Sequence, residues 1–468
     1  MEWLDFLRVG IRGHWDNRAG GVSSGAGRCF ASSVGELDPM NNLNQLARVQ
    51  AANSAGIPLS RSEKRQILVY FSFSLVLLVI ASPHFGIIEI PLSFLLMERF
   101  HLSAPQLAEF RFWVGLPFYL SFLFGFARDW FRGRGFRDRT LFIISGLSAS
   151  LVYLTLAFGD ITLNGILIGM VLATSAYLVM SSAWHGLIAA VAQRHGIAGQ
   201  LSTVWNLTGL GIGATAMLVG GGIGDVLLRD SLPVAGRSLF VIGCMVTVAL
   251  ALFGGAGIAV VDGVGSGRRS ASFAEELGLL ISHRPFYPAL IIFSLWNFSP
   301  GTQTVLQYYL ADSHNASSMQ WGAYNAIESL AFAPTLALFG YLCTRYPLRR
   351  LLWIATFIGV PQMVPLLFIR SAGDALIAAV PIGLMGGMAE AAYMALIMRS
   401  CPAGLLGGAI MLSSSLEMLV SRLGNIWGTL VYSEYGFKWC ALASILLYSL
   451  IIPILQFVPS RVVEEADC

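Results

Sequence analysis

Apolar runs recur along this sequence from about residue 67 to residue 458, each near the ~20 residues with which a helix crosses a bilayer. Short polar breaks separate the runs, and none leaves room for a soluble domain of appreciable size. Because the runs are uniformly apolar and do not alternate over ~10 residues, helices are predicted and not barrel strands. We place twelve spans at 67–90, 108–127, 140–158, 163–190, 200–225, 238–260, 286–310, 322–343, 351–370, 375–399, 405–433 and 437–458.

The composition agrees with an all-α integral membrane protein: 56% of the 468 residues are hydrophobic and only 12% are charged. The net charge of +3 is too small to suggest a nucleic-acid partner. Six cysteines are scattered without CxxC or Cys/His spacing, so neither a disulfide frame nor a metal site is predicted. We expect no cofactor, no nucleic acid, and a multi-pass monomer in the lipid bilayer.

Basic residues predict the orientation of the chain. With a cytoplasmic N-terminus, the inside segments from residue 41 onward carry 18 arginines and lysines, against 6 in the outside loops. Cytoplasmic loops of membrane proteins are enriched in these residues, so both termini are predicted to be cytoplasmic. The six assigned to outside loops are Arg99, Arg111, Arg229, Arg237, Arg370 and Lys438.

Regions of low hydrophobicity mark the predicted domain boundaries. The first ~60 residues are rich in Gly, Ser, Asn and Arg and cannot bury a core. A second polar stretch, "DGVGSGRRSASFAEELG", lies near the middle of the chain. We expect a disordered cytoplasmic tail at 1–62, a six-helix half at 63–260, a central cytoplasmic loop at 261–285, a second six-helix half at 286–460, and a short cytoplasmic tail at 461–468.

Two basic segments repeat one pattern of span, glycine, basic turn and span. They are "GFARDWFRGRGFRDRT" at 125–140 and "GYLCTRYPLRRLLW" at 340–353, and their first glycines lie 215 residues apart. Each follows the second span of its predicted half. A six-plus-six duplication explains this pairing.

These segments resemble the loop between spans 2 and 3, and between 8 and 9, of the major facilitator superfamily. Gly125 and Asp129 match the pattern in the first half, and Thr344 replaces the aspartate in the second. The resemblance implies a fold of twelve helices in two pseudo-repeats and a gating loop in which arginines and a carboxylate bond in one state only. The alternative is that the arginines only set topology. The implied gating residues are Gly125, Asp129, Arg132, Arg134, Gly340, Arg345 and Arg349.

Charged residues within the spans are expensive in a bilayer and are therefore candidates for function. A buried carboxylate or histidine can carry a coupling proton; each can equally be a structural partner, and His185 can be a packing histidine. Arg422 is expected either to pair with a carboxylate on another span or to bind an anionic group of a substrate. The proton-coupling candidates are Glu89, His185, Glu328, Glu390 and Glu417.

Span 7 is the most site-like helix. Trp296, Pro300, Gln303 and Gln307 are spaced to share one helical face, and Pro300-Gly301 can loosen the helix near mid-membrane. Two amides and an indole suit a flat, polar heteroaromatic substrate. The alternative is a kinked packing helix whose glutamines bond to neighbours.

Three further stretches resemble the folate-biopterin transporter family, a branch of the superfamily. They are "FGIIEIPLSFLLMERFHLSAPQLAEF" (85–110), "LWNFSPGTQTVLQYYLADSHNASSMQWG" (295–322) and "ALIMRSCPAGLLGGAIMLSSSLEMLVSRLGNIWGTLVY" (395–432). The resemblance implies a folate or pterin as substrate. With the span 7 pattern, it gives as substrate-binding candidates Trp296, Asn297, Gln303, Gln307 and Arg422.

The sequence therefore predicts a proton-coupled secondary transporter for a small, anionic organic solute. Its central cavity is expected between spans 1, 4, 7 and 10, with 2, 5, 8 and 11 alongside. One alternative is a non-transporting assembly or pigment-delivery protein on the same fold. A membrane enzyme is a weaker alternative, because the seven histidines form no H-x4-D pair or metal-type cluster, and no catalytic residue is predicted.

Overall fold

The computed structural model describes residues 60–124, 128, 131, 138–195, 197–256, 278, 282–343, 345–401 and 406–459. All regular secondary structure within these ranges is helical. The first half contains α1 (Arg61–Ile80), α2 (Glu89–Arg99), α3 (Ala104–Tyr119), α4 (Asp138–Phe158), α5 (Leu163–His195), α6 (Ala198–Leu227) and α7 (Leu232–Ala256). The second half contains α8 (Phe286–Asn297), α9 (Thr304–Tyr308), α10 (Ser318–Cys343), α11 (Leu348–Gly359), α12 (Ala372–Ser400), α13 (Leu406–Tyr435) and α14 (Phe437–Ser449).

Eight helical segments in the described ranges are long and apolar enough to cross a membrane. They correspond to predicted spans 3, 4, 5, 6, 8, 9, 10 and 12, and they confirm the all-α membrane class. Spans 1, 2, 7 and 11 fall outside this group. These four spans carry most of the polar side chains of the site described below.

The two halves meet along two helix pairs. Within the first half α4 packs on α5 and α7, and within the second half α10 packs on α12. Between the halves, α6 packs on α10 and α3 packs on α13. At the first of these crossings Gly221 and Gly322 lie backbone to backbone, since a Cβ on Gly322 would sit 3.1 Å from the Gly221 Cα. Small residues allow helices to approach this closely inside a membrane.

Span 1 is a broken helix, not the single run predicted at 67–90. A capping box between Ser60 and Glu63 starts α1 earlier, and α1 ends at Ile80, before Ser82-Pro83. Proline has no amide hydrogen to continue a helix. The chain then turns, closed by a 2.9 Å bond from the Gly86 N–H to the Ser82 carbonyl, and α2 starts at Glu89.

Span 7 is broken at the equivalent place. Ser299-Pro300 follows α8, 217 residues after Ser82-Pro83, and the helix resumes only at Thr304. Gln303 takes a positive φ of 49°. The loosening at Pro300-Gly301 is confirmed, but the expectation that Trp296, Gln303 and the residues between them share one continuous helical face is wrong.

Several predictions fall on residues that the structure does not describe. They concern the tail up to residue 59, most of the central loop at 261–285, the C-terminal tail, and the loop residues Gly125, Asp129, Arg132 and Arg134. The remaining loop residues are described. Gly340 is exposed near the end of α10, Arg345 lies over the Tyr341 ring at 4.6 Å, and Arg349 is exposed at the start of α11.

Candidate binding site between the halves

A cavity of about 440 Å³ lies between the two halves. The breaks of spans 1 and 7 both contribute to its wall, and polar side chains line it together with several aromatic rings. Its polar and charged lining residues include His84, Glu89, Arg111, Asn297, Gln303, Asn325, Glu328, Gln362, Glu390 and Arg422.

Arg111 extends from α3 to the two helices that restart after the breaks. Its Nη2 donates to Glu89 Oε1 at 2.6 Å and to Gln307 Oε1 at 2.8 Å, and its Nη1 donates to Thr304 Oγ1 at 2.6 Å. The residue is only 8% exposed. It therefore joins the first half of the molecule to the second. The prediction that Arg111 belongs to an outside loop is wrong, because α3 begins at Ala104 and already includes it.

Arg422 on α13 connects the two breaks themselves. Its Nη1 donates to Gln303 Oε1 at 3.1 Å, and its Nη2 lies 2.7 Å from Nε2 of His84 and in contact with Nδ1 of the same ring. Arg422 is 4% exposed. Among the described residues, no carboxylate forms an ion pair with it. The expected carboxylate partner is thus replaced by an amide and an imidazole.

Glycines on α13 let this helix approach the break of span 7. A Cβ on Gly424 would lie 3.1 Å from the Ser299 nitrogen, and one on Gly428 would collide with the Pro300 carbonyl. Asn425, between them, donates through Nδ2 to Thr304 Oγ1 at 2.9 Å. The helix that carries Arg422 therefore also holds the non-helical segment of span 7 in place.

Aromatic rings and carboxylates from the second half form another part of the wall. The Trp296 indole donates to Glu390 Oε2 at 2.8 Å and lies 4.8 Å from the ring of Tyr448, centroid to centroid. Trp321 and Tyr324 stack in parallel at 5.5 Å. Glu328 lines the same region. The cavity thus presents guanidinium groups, carboxylates and flat aromatic surfaces to one volume.

Most of the predicted site residues come together here. Trp296, Asn297, Gln303, Arg422, Glu89, Glu328 and Glu390 line the cavity. Gln307 is buried beside Arg111, and its Nε2 donates to Ser93 Oγ at 2.9 Å. Glu417 and His185 lie outside the lining; the ring of His185 contacts those of Trp184 and Trp205, at 5.3 and 4.6 Å.

Span 4 departs from the predicted arrangement. It was expected to line the central cavity, yet its residues Met170 and Thr174 line only a smaller neighbouring pocket of about 30 Å³ behind Arg111. Span 9 lines the central cavity in its place. Its end is a 3-10 helix that contains Pro361 and Pro365, and this helix brings Gln362 and Met363 to the cavity. Within the described ranges, no group of three His, Cys, Asp or Glu side chains could hold a metal ion.

At the predicted cytoplasmic end, one ion pair belongs to the basic loop of the first half. Arg128 donates through Nε and Nη2 to the two oxygens of Asp138, at 2.7 and 2.9 Å. The guanidinium lies against Gly186 on α5, where a Cβ would collide with it. This pair shows one arginine of the segment 125–140 joining helix ends.

Comparison with known proteins gives the fold but no close relative. No family model and no curated protein matches the sequence. Among solved structures, a bacterial homolog of the human lysosomal transporter Spinster matches with a TM-score of 0.63 and 13% identity, over 86% of this chain and 98% of that one. The nucleoside transporter NupG matches with a TM-score of 0.60 and 13% identity, over 84% and 96%.

The peptide transporter POT is similar over a comparable length, with a TM-score of 0.64 and 10% identity, covering 89% of this chain and 99% of that one. All three matches extend over both halves, so the similarity includes the arrangement of the halves and not only a helical bundle. The chain is a multi-pass membrane protein with the major facilitator fold.

Proposed function

We propose that the protein is a secondary transporter that moves a small organic anion across its membrane by alternating access. One observation carries the proposal: two buried arginines on helices of opposite halves reach a single cavity, and only one of them has a carboxylate partner in the described structure. A buried arginine must be compensated, and an anionic ligand would supply what Arg422 lacks. Binding between the halves is where a ligand can bias their relative position.

The substrate is proposed to carry a flat ring. Trp296 and Tyr448 offer aromatic surface within the cavity, and Asn297 and Gln303 offer amide groups for a ring's polar edge. A folate or pterin has this combination of ring and polar edge, and the resemblance to folate-biopterin transporters supports testing it first. Two of the solved structures with the same fold are named as a nucleoside transporter and a peptide transporter, which supports a transport function without selecting a solute.

The test is uptake of labelled folate and biopterin into proteoliposomes that contain the purified full-length chain. We expect uptake above protein-free vesicles, and stimulation by a pH gradient. Arg422→Gln removes the guanidinium and should raise the KM for an anionic solute about 10- to 100-fold, the range for a lost charged hydrogen bond of ~1.5–3 kcal/mol.

Arg229→Gln is the matched control, because Arg229 is exposed beyond the end of α6. Its uptake should equal that of the wild type. If neither compound is taken up, the folate and pterin assignment fails. If a wider panel of organic anions also shows no uptake, the transporter proposal itself is contradicted.

A further inference from the structure

The contact between Arg422 and His84 connects the two halves through a group that can gain a proton. His84 follows Pro83 in the break of span 1, so it is not fixed within a continuous helix. It is half-buried, with its ring 4.1 Å from that of Phe85 and 5.7 Å from that of Phe118. Arg422 approaches it from α13, in the other half.

Protonation of His84 would remove this contact. A neutral imidazole has one ring nitrogen that accepts a hydrogen bond, whichever tautomer is present, whereas a protonated imidazole only donates. Protonated His84 would also be a second cation beside a buried guanidinium. Nη2 of Arg422 and the imidazolium would then both be donors facing each other, while Nη1 of Arg422 keeps its bond to Gln303. A bound anion provides acceptors for both at once.

The other groups that face His84 are already engaged. Arg111 and Tyr119 face it from α3, and Glu89 lies five residues further along span 1. Glu89 accepts from Arg111, and the Tyr119 hydroxyl donates to the Phe112 carbonyl at 2.9 Å. Within the described ranges, His84 is therefore the acceptor through which Arg422 contacts the first half.

Carboxylates elsewhere around the cavity have different surroundings. Glu390 accepts from the Trp296 indole, and Glu328 lines the wall formed by α10. Glu417 lies on the same helix as Arg422 but outside the cavity lining. None of these three bonds to Arg422 in the described structure.

We infer that His84 is the proton-coupling residue of the proposed transporter: it takes up a proton when an anion replaces it as the partner of Arg422. The inference rests on the proposed anion site. It assigns the proton to the break of span 1 and the anion to the guanidinium, so that one proton accompanies one anionic charge. By linkage, the proton strengthens anion binding and the anion strengthens proton binding by the same factor.

The experiment measures the dissociation constants of benzoate and folate for the purified full-length protein between pH 6 and 8, where the carboxylates of both probes stay ionised. For the wild type we expect Kd to rise by up to ~tenfold per pH unit, the slope for one linked proton. His84→Gln keeps an acceptor for Arg422 that does not titrate. It should still bind the probes, with a change in Kd of less than about twofold per pH unit.

Three controls make the outcome specific. His101→Gln alters an exposed histidine and should keep the wild-type slope. Glu89→Gln and Glu390→Gln alter rival proton carriers and should also keep it. A slope that survives in His84→Gln, or that vanishes in either glutamate variant, overturns the assignment to His84. A flat wild-type profile overturns it as well.

Failure of the anion site is a distinct result, because then neither probe binds the wild type at any pH. If His84→Gln does not fold, His84→Asn is the second variant. Carbethoxylation of the wild type, followed by peptide mass spectrometry, gives a reading without mutation, since only a neutral imidazole reacts. Bound anion should shift the pH profile of the reaction at His84 to higher pH and leave the profile of His101 unchanged. If the anion only shields His84, the reaction slows at every pH without a shift of the profile, and this result would count against the inference.

Discussion

Arg111 and Arg422 are stabilised in different ways. Arg111 has a carboxylate, an amide and a hydroxyl as acceptors, whereas Arg422 has an amide and an imidazole. A single arginine at the centre of a membrane helix costs about 2.5–3.5 kcal/mol on insertion scales. The hydrogen bonds offset this for both residues, but only Arg111 is neutralised. Arg422 therefore keeps a positive charge with which no carboxylate pairs in the described structure.

Glu89→Gln tests this charge balance. Loss of the carboxylate leaves Arg111 buried without a counter-charge, and removing one member of a buried pair costs about 3–5 kcal/mol. We expect the melting temperature to fall by about 3–5 °C, while benzoate binding tightens several-fold because the cavity becomes more positive.

The double variant Arg111→Gln/Glu89→Gln should recover much of the lost melting temperature, since no unpaired charge remains. Glu98→Gln, on the exposed end of α2, serves as the control and should change neither quantity. Weaker benzoate binding in Glu89→Gln would contradict the charge balance described here.

The sequence identified individual polar residues of the site better than their partners. Arg422, Gln303, Gln307 and Trp296 were recognisable because polar groups are rare in apolar runs. Arg111 was missed although it lies inside the predicted span 108–127, where its position within the span was the available signal. Contacts such as that between Arg422 and His84 join residues 338 positions apart, and no local pattern contains that information.

At the scale of elements, breaks and close contacts both depend on small or irregular residues. Pro83 and Pro300 could be seen in the sequence, and the loosening of span 7 was predicted from Pro300-Gly301. The break in span 1 was missed because its apolar run continues through the proline. Gly186 on α5 shows a different use of a small residue: it leaves room for the Arg128 guanidinium beside Asp138.

Gly186→Ala tests this packing. The added methyl group should displace the guanidinium and lower the melting temperature, in spite of the ~1 kcal/mol that alanine normally gains over glycine in a helix. In an Arg128→Ala background the same change should be neutral or stabilising. Gly209→Ala, on α6 with open space around it, is the control and should be stabilising or neutral. Equal effects of Gly186→Ala in both backgrounds would contradict a role for Arg128.

For the whole molecule, α6 and α10 form the more extensive of the two helix pairs between the halves, and their backbones come into contact at the predicted external end. Gly221 and Gly322 meet there, and Asp225 accepts from the Ser317 hydroxyl at 2.9 Å and from the Met319 N–H at 3.2 Å. The two halves could be predicted from the repeat of basic loops. The pairing of α6 with α10 could not be predicted, because the two helices have no distinctive sequence pattern in common and only the packing of their side chains shows the contact.

Gly322→Leu should keep the external end from closing. A side chain at Gly322 meets the Met217 carbonyl at 2.5 Å, so the helices must separate. In a variant without native cysteines, Asn325→Cys places a thiol in the cavity. We expect an impermeant maleimide added outside to label it several-fold faster when Gly322→Leu is present, with transport lost. A Cβ added at Gly222 would lie 3.6 Å from its nearest neighbour, the Met319 sulfur, so Gly222→Leu should leave the labelling rate and transport unchanged. Unchanged labelling in Gly322→Leu would show that this crossing does not close the path.

Bonds between spans 1, 2, 7 and 11 have a consequence for how the chain enters its membrane. Spans 3, 4, 5, 6, 8, 9, 10 and 12 are apolar enough to partition into lipid by themselves, but spans 1, 2, 7 and 11 carry groups whose partners lie on one another. The hydrogen bonds of Arg111 to Thr304 and Gln307 can form only after these two residues are synthesised, almost 200 residues later. During translation the first half therefore holds an incompletely satisfied arginine until span 7 arrives, and the binding site and the insertion of its own helices are completed by the same bonds.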